Sequence, residues 1–130
     1  MKRSALMLCM LFMKVLVAFA QIGTFINVND FGAVGDGLVL DTKAINQAIE
    51  AADKKGGGTV FFPAGTYRCY SIHLKSNITL YLDNGCTLLA ADCVEGQPGY
   101  DHHEEINWNK YQDFGHSFFQ NSFIWGENLH

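Results

Sequence analysis

The fold of this protein is decided by the stretch Val28-Asn29-Asp30-Phe31-Gly32-Ala33-Val34-Gly35-Asp36-Gly37, which is followed by Asp41-Thr42-Lys43-Ala44-Ile45. Three glycines within residues 30–37 predict a loop that needs positive φ angles and close backbone approach. Asp41 or Thr42 is expected to cap a helix by accepting hydrogen bonds from backbone N–H groups two or three residues further on. The stretch therefore predicts a loop that leads directly into a helix.

The helix that follows is amphipathic and has a clear end. Apolar residues at helical spacing form one stripe, which consists of Ala44, Ile45, Ala48, Ile49 and Ala52. Lys54 and Lys55 are expected in the last turn, where cations complement the helix dipole. Gly56-Gly57-Gly58 then ends the helix.

After the helix, short β-branched and aromatic runs are separated by Gly, Asn, Pro or Ser, a pattern typical of strands. Phe25–Val28 is a similar short run ahead of the glycine loop. The predicted strands after the helix are Thr59–Phe62, Gly65–Tyr70, Ser71–Leu74, Ile78–Leu82 and Cys86–Ala90, with a last strand-like run at Phe118–Trp125. Three pairs recur at an offset of 20 residues: Thr59 with Thr79, Phe61 with Tyr81, and Gly65 with Gly85. Such a repeat is what one coil of a β-solenoid produces, and a plain antiparallel meander is the alternative.

The first twenty residues have the pattern of a secretory signal peptide. Lys2 and Arg3 precede an apolar run over residues 6–19, and Ala18-Phe19-Ala20 is a small-x-small cleavage site. A transmembrane anchor is the alternative, but the run is short for a span of about 20 residues and Lys14 interrupts it. The expectation is a signal peptide at 1–20, a mature protein that begins at Gln21, and a secreted or periplasmic location.

The mature protein is expected to be acidic. Lys2, Arg3 and Lys14 are three of the 9 basic residues, so 6 remain against 13 acidic residues, a net charge of −7. This balance argues against nucleic acid as a partner, and against an anionic membrane once the signal is removed. It also fits poorly with a complete cleft for a polyanionic sugar.

The cysteines and the polar clusters give no clear metal site. Cys69, Cys86 and Cys93 remain after signal cleavage, an odd number with no CxxC spacing, and buried cysteines acting as small apolar residues are expected. The run Asp101-His102-His103-Glu104-Glu105 has metal-ligand chemistry, but adjacent residues rarely converge on one ion and a solvated loop is the simpler interpretation. No metal and no cofactor are therefore expected.

Other polar and aromatic residues invite a functional interpretation that has a structural alternative. Asp30, Asp36 and Asp41 suggest an acid or a calcium site, although aspartates in glycine turns usually bind nearby backbone amides. Residues 92–117 form a long polar excursion with embedded aromatics, typical of a functional loop. The candidate substrate-binding residues are Asp113, His116 and Trp108. Tyr111 and Trp125 are further candidates for stacking on sugar rings, or for clamping the loop.

The family resemblance rests on five stretches. Asn27–Ala52, the run Gly58–Tyr67, and Ile78–Leu82 resemble the N-terminal part of polygalacturonase-like proteins, glycoside hydrolase family 28 of the pectate-lyase-like superfamily. The run Tyr111–Ser117, with Ile124–Asn128, is similar to bacterial members that act on pectin. The resemblance implies an all-β fold, a right-handed parallel β-helix, with one N-terminal helix that caps the first coil. Residues 21–130 would be the N-terminal portion of that domain, truncated at the C-terminus.

The resemblance also implies a function and a limit to it. Members hydrolyse pectic polysaccharide with inversion, using carboxyl groups roughly 6.5–9.5 Å apart. Their catalytic signatures Asn-Thr-Asp, Asp-Asp, Gly-His-Gly and Arg-Ile-Lys do not occur in this chain, and Gly115-His116-Ser117 is not Gly-His-Gly. The expectation is a fragment of a secreted polygalacturonase-type enzyme with no catalytic residue before His130. The alternatives are a non-catalytic carbohydrate-binding or tailspike-like segment, and a pectate lyase.

Overall fold

The structure is a computed structural model that describes residues 23–96, 99–102 and 120–130. The expected signal peptide at 1–20 lies outside these ranges. The described residues contain one α-helix, one 3₁₀ turn at Val28–Phe31, and eight strands. The helix is α1 (Thr42–Asp53), and the strands are β1 (Phe25–Asn27), β2 (Asp36–Leu40), β3 (Gly58–Phe62), β4 (Gly65–Cys69), β5 (Ile72–His73), β6 (Ile78–Leu82), β7 (Cys86–Ala90) and β8 (Ile124–Trp125).

Helix α1 forms as the apolar spacing predicts. The five residues of the stripe, Ala44, Ile45, Ala48, Ile49 and Ala52, are all buried, and α1 contacts β1, β3, β5 and the 3₁₀ turn. The helix ends at Asp53, and a turn leads into the glycine run, where the Gly57 N–H donates to the Ala52 carbonyl at 3.0 Å. Lys54 and Lys55 follow the last helical residue rather than lying in the last turn. Among the described residues no helix is long and apolar enough to cross a bilayer.

All pairings among the described strands are parallel, which rules out the antiparallel meander for this part of the chain. The sheets have the orders β1-β3-β6, β2-β4-β7 and β5-β8. In the first sheet Thr59 lies beside Thr79 and Phe61 beside Tyr81, so the predicted 20-residue offset is the true register.

The second sheet has a different offset. Gly65 pairs with Cys86, not with Gly85, so the register of β4 on β7 is 21 residues. The turn from β3 to β4 advances from Phe62 to Gly65, whereas the turn from β6 to β7 advances from Leu82 to Cys86 and holds one more residue. The Gly65 N–H still donates to the Gly85 carbonyl, at 3.2 Å. The third pair of the sequence repeat was therefore wrong as a register pair.

The core lies between the sheets and α1. The inward side chains of β3 and β4, which include Val60, Phe62, Tyr67 and Cys69, are at most 1% exposed. Their register partners in β6 and β7 are less buried: Leu80 and Leu88 are half-buried, and Leu82 and Ala90 are exposed. Burial is therefore complete in the middle coil and partial in the coil that follows it.

Two elements differ from the sequence-based prediction. Strand β2 occupies residues that were predicted as loop, and it pairs with β4 only at Asp36–Thr66 and Leu40–Arg68. Its apolar residues face solvent, with Leu38 78% exposed, so no alternating pattern marked it as a strand. The predicted last strand is reduced to Ile124–Trp125, which pairs with β5, while residues 118–119 lie outside the described ranges.

Candidate functional site

The three candidate substrate-binding residues from the sequence, Asp113, His116 and Trp108, lie outside the described residues, and so does Tyr111. The geometry of a functional site is therefore described for residues 23–96, 99–102 and 120–130. Within those ranges no group of three or more His, Cys, Asp or Glu side chains is arranged to hold a metal ion.

Two of the three aspartates considered at the glycine loop, Asp36 and Asp41, bind backbone amides, in agreement with the structural alternative. Asp36 accepts hydrogen bonds from the N–H groups of Leu38 and Val39, at 2.8 and 2.9 Å. Asp41 accepts from Val34 and Gly35, at 2.7 and 3.1 Å. These carboxylates fix the loop by saturating its amides, and neither is arranged as a catalytic acid.

The predicted capping of α1 by Asp41 or Thr42 was wrong. Asp41 occupies the N-cap position but its side chain makes no capping hydrogen bond, since the carboxylate is used by the preceding loop. The hydroxyl of Thr42 accepts a hydrogen bond from the Tyr70 N–H at 2.9 Å. Both side chains therefore tie the helix start to other segments instead of to the helix itself.

The described residues bring together one half-exposed polar and aromatic cluster, formed by His73, Asp101 and Trp125. One carboxylate oxygen of Asp101 lies 2.7 Å from Nε2 of His73 and accepts a 2.7 Å hydrogen bond from the indole N–H of Trp125. The imidazole and indole centroids are 5.1 Å apart with the rings tilted by 60°. The side chains of His73 and Asp101 are 40% and 35% exposed, so solutes can reach them.

The backbone around the cluster is fixed by a second set of hydrogen bonds. The Asn46 side chain, on α1, accepts from the His73 N–H and donates to the Ser71 carbonyl. The hydroxyl of Ser71, which is 3% exposed, accepts from the Asp101 N–H and donates to the Ser122 carbonyl at 2.7 Å. The Asn121 amide donates to the Asp101 carbonyl at 2.9 Å. His73 and Asp101 are thus held in place by the helix, by β5 and by the segment before β8.

The segment that carries Asp101 is also anchored by two tyrosines. Tyr70 and Tyr100 meet edge to face with centroids 5.3 Å apart. Their hydroxyls donate to the carbonyls of Asp92 and Ala91, at 3.2 and 3.0 Å. Burial, reinforced by neighbouring ionisable groups, raises the pKa of Tyr100, so this phenol stays a neutral donor at neutral pH. The position of Asp101 is therefore set from both sides.

The electrostatics of the cluster keep Asp101 ionised. Burial opposes ionisation, but hydrogen bonds from Trp125 and His73 and the charge of His73 outweigh it, so the pKa of the Asp101 carboxyl lies below its ordinary value. A charged acceptor, an imidazole and an aromatic ring in one half-exposed corner can hydrogen-bond hydroxyl groups and pack against an apolar ring face.

Sequence reasoning found two members of this cluster for other reasons and missed the third. Asp101 was considered within a possible metal-binding run, and Trp125 as a stacking residue. His73 was not singled out, because it lies 28 residues from Asp101 and 52 from Trp125 and no local pattern links them. Only the parallel pairing of β5 with β8, which places His73 beside Trp125, brings them together.

A second aromatic surface lies on the outer face of the first sheet. Phe25, Phe61 and Tyr81 form a ladder with centroid separations of 5.1 and 5.8 Å. Phe25 is 64% and Tyr81 52% exposed. Because neighbouring rings are inclined by only 32° and 27°, they stack on one another. This ladder stabilises the pairing of the strands. Within the part of the chain that the structure describes, no carboxylate bonds to it as Asp101 bonds to Trp125.

Comparison with known proteins finds a matching family model and several related proteins. The family model described as "Rhamnogalacturonase A/epimerase, pectate lyase-like" matches residues 25–125. Plasmin and fibronectin-binding protein A of Streptococcus pneumoniae is 36% identical over 104 residues, which are 72% of this chain and 14% of the relative. Mannuronan C5-epimerase AlgE1 of Azotobacter vinelandii is 64% identical over 42 residues, 32% of this chain and 3% of the epimerase.

A solved structure extends the comparison to three dimensions. The family 28 exopolygalacturonase of Yersinia enterocolitica superposes with a TM-score of 0.50 at 48% identity, covering 53% of this chain and 12% of that one. This neighbour confirms the resemblance to polygalacturonases that the sequence indicates. The chain spans less than a sixth of the length of each of these three proteins.

Proposed function

Because the chain belongs to the rhamnogalacturonase A/epimerase family of pectate lyase-like proteins, we propose that it is part of a secreted glycoside hydrolase that cleaves pectic polysaccharide. The proposed chemistry is polygalacturonase-type hydrolysis of the glycosidic bond. The observation that carries the proposal is the parallel 20-residue register of β3 on β6, within a chain that is 48% identical to a family 28 exopolygalacturonase where they superpose.

The proposal also covers the handedness of the β-helix and the capping of its first coil. The sheets belong to a right-handed parallel β-helix, and α1 caps its first coil. The support is physical: a coil without a neighbour would expose an apolar interior and unpaired strand edges. The buried stripe of α1 contacts β1 and β3, so it lies where such a cover is needed.

The proposal also assigns the catalytic step to residues beyond His130. None of the four catalytic signatures of polygalacturonases occurs among the 130 residues. Residues 21–130 would then supply the first coils and part of the sugar-binding surface, after export and cleavage before Gln21. The substrate would be a pectic polymer, with no nucleic acid and no membrane as partner.

A second candidate function is a non-catalytic, surface-binding β-helix. The observation that favours it is the match over 104 residues to a plasmin and fibronectin-binding protein, combined with the missing catalytic signatures. Pectate lyase activity is a third possibility within the same superfamily, and its product is unsaturated, unlike that of a hydrolase.

One experiment separates these functions. Polygalacturonate is incubated with the protein as it is secreted and with residues 21–130 alone, while reducing ends and the ultraviolet absorbance of unsaturated products are followed. We expect reducing ends without absorbance from the secreted protein, and neither signal from residues 21–130. An increase in absorbance would support a lyase. The absence of both signals from the secreted protein would support the binding function. N-terminal sequencing of the same secreted sample checks for a start at Gln21.

A further inference from the structure

The cluster of His73, Asp101 and Trp125 has the chemical features of a sugar-binding site. We propose that it is a binding subsite for an uncharged sugar residue, such as a neutral hexose or a galacturonate whose carboxyl group is esterified. This inference rests on the proposed function, because it assigns a place on the chain to polysaccharide binding and a charge preference to that place.

The cluster is held in a fixed geometry before any ligand binds. Asn46 holds the backbone of His73, and Ser71 holds the backbone of Asp101. The Asp101 carboxylate then aligns the imidazole and the indole through two 2.7 Å contacts. Preorganised polar groups bind ligands tightly because little conformational entropy is lost on binding.

The exposed atoms of the cluster match the hydroxyl groups and the apolar ring face of a sugar. Sugar hydroxyls are donors as well as acceptors, so they match an ionised carboxylate and an imidazole. The indole supplies an apolar surface against which the C–H face of a sugar ring can pack. Asn121, another hydrogen-bonding residue beside the cluster, donates to the Asp101 carbonyl.

The charge of the cluster favours an uncharged ligand. The pair of His73 and Asp101 brings no net positive charge, and no lysine or arginine bonds to it among the described residues. Lys75 pairs with Glu50 at 3.2 Å, and Arg68 donates to the Leu38 carbonyl. The carboxylate of Asp101 repels a second carboxylate nearby. A uronate residue therefore fits this corner best when its charge is masked by esterification.

The test is calorimetric titration of the full chain with three oligosaccharides of equal length: methyl-esterified galacturonan, the de-esterified form, and a neutral galactan. We expect the esterified form to bind about fivefold tighter than the de-esterified form, on the order of the repulsion between two nearby charges in water. If the galactan and the esterified galacturonan bind with equal affinity, the subsite accepts any uncharged sugar. If the galactan binds more weakly, the subsite is restricted to the esterified uronate. Both results support the proposal.

Three variants connect the binding to the cluster. Trp125→Ala should weaken binding of the esterified oligomer about tenfold by removing the stacking surface, and Trp125→Phe should restore part of it if packing matters. Asp101→Asn should raise the affinity for the de-esterified oligomer relative to the esterified one. Tyr81→Ala, on the outer face of β6, is the matched aromatic control and should leave binding unchanged. Circular dichroism verifies that each variant is folded.

The possible failures are distinguishable. If the native chain binds these sugars and Trp125→Ala and Asp101→Asn bind them unchanged, the subsite is elsewhere and the proposed function survives. Tighter binding of the de-esterified form overturns the charge preference and the proposal with it. If the native chain binds none of the oligosaccharides, the subsite is wrong, and the assay of reducing ends on the secreted protein still decides the proposed function.

Discussion

The carboxylate of Asp41 accepts a 2.7 Å hydrogen bond from the backbone N–H of Val34, seven residues earlier in the chain. The same carboxylate accepts a second hydrogen bond, from the Gly35 N–H. The backbone N–H of Asp41 donates to the Arg68 carbonyl at 2.8 Å. Asp41 is 1% exposed. One buried residue therefore joins the glycine loop to the start of α1 through its side chain, and to β4 through its backbone N–H.

Replacing Asp41 should be costly. Asp41→Ala leaves two partly buried backbone N–H groups without their acceptor and empties a buried position, so we expect a loss of about 2–4 kcal/mol in the free energy of unfolding. Asp36 offers a matched control, because it also accepts from two loop amides but is exposed. Asp36→Ala should cost much less, since water can replace the carboxylate. Equal losses in urea unfolding would contradict the importance assigned to burial.

The glycine run after α1 contains a second matched pair. A Cβ atom on Gly57 would lie 2.5 Å from the Asn77 carbonyl oxygen, whereas one on Gly56 would meet nothing within 4 Å. Both residues have positive φ, so both alanine variants share the backbone strain. We expect Gly57→Ala to destabilise the protein by about 2–4 kcal/mol and Gly56→Ala by about 1 kcal/mol. Thermal melts of the two variants check this, and a similar shift for both would show that the coil yields at Asn77.

The buried stripe of α1 predicts a strong face dependence along the helix. Ile49 is 0% exposed, so Ile49→Asp places an unpaired charge in the core and should cost about 3 kcal/mol or more. Gln47 lies on the exposed face of the same helix, and Gln47→Asp should cost about 1 kcal/mol or less. Denaturant titration compares the two. A small loss for Ile49→Asp would mean that α1 can detach from the sheets without disturbing them.

The lowered pKa of Asp101 predicts a pH effect with a definite sign. A carboxyl whose pKa is lower in the folded protein than in the unfolded chain stabilises the fold above the unfolded value of about 3.9. That contribution disappears as the pH falls through the folded value. We therefore expect native protein to be more stable than Asp101→Asn at about pH 6, and the difference to shrink below about pH 4. Thermal melts across this range measure it, and a constant difference would remove the ionised carboxylate as its cause.

The cysteines should differ sharply in reactivity. Burial, helped by the negative charge of Asp41, raises the pKa of Cys69 to about 12, whereas Cys93 is exposed. Because only the thiolate reacts, a disulfide reagent at about pH 8 should modify Cys93 quickly and leave Cys69 unmodified until the protein unfolds. Mass spectrometry identifies the modified residue, with Cys93→Ser as the control. Rapid labelling of Cys69 would show that the coil opens readily.

The comparison of prediction with structure shows which parts of the fold are locally encoded. The position of α1, its apolar stripe, and the strands Ile78–Leu82 and Cys86–Ala90 were predicted correctly, since helical and strand periodicities are properties of a few adjacent residues. Strand β2 was missed because its outward apolar residues break the usual alternation and its pairing depends on β4.

The sequence by itself determined the helix, the strand-rich remainder, the 20-residue repeat and the family. The tertiary structure decided the 21-residue register of the second sheet, the use of the Asp41 carboxylate by the glycine loop, and the meeting of His73, Asp101 and Trp125. The physical reason is distance along the chain. Side-chain periodicity is set by neighbours three or four residues apart, but a hydrogen bond between residues 28 or 24 apart exists only after parallel coils have stacked and the segments between them have docked.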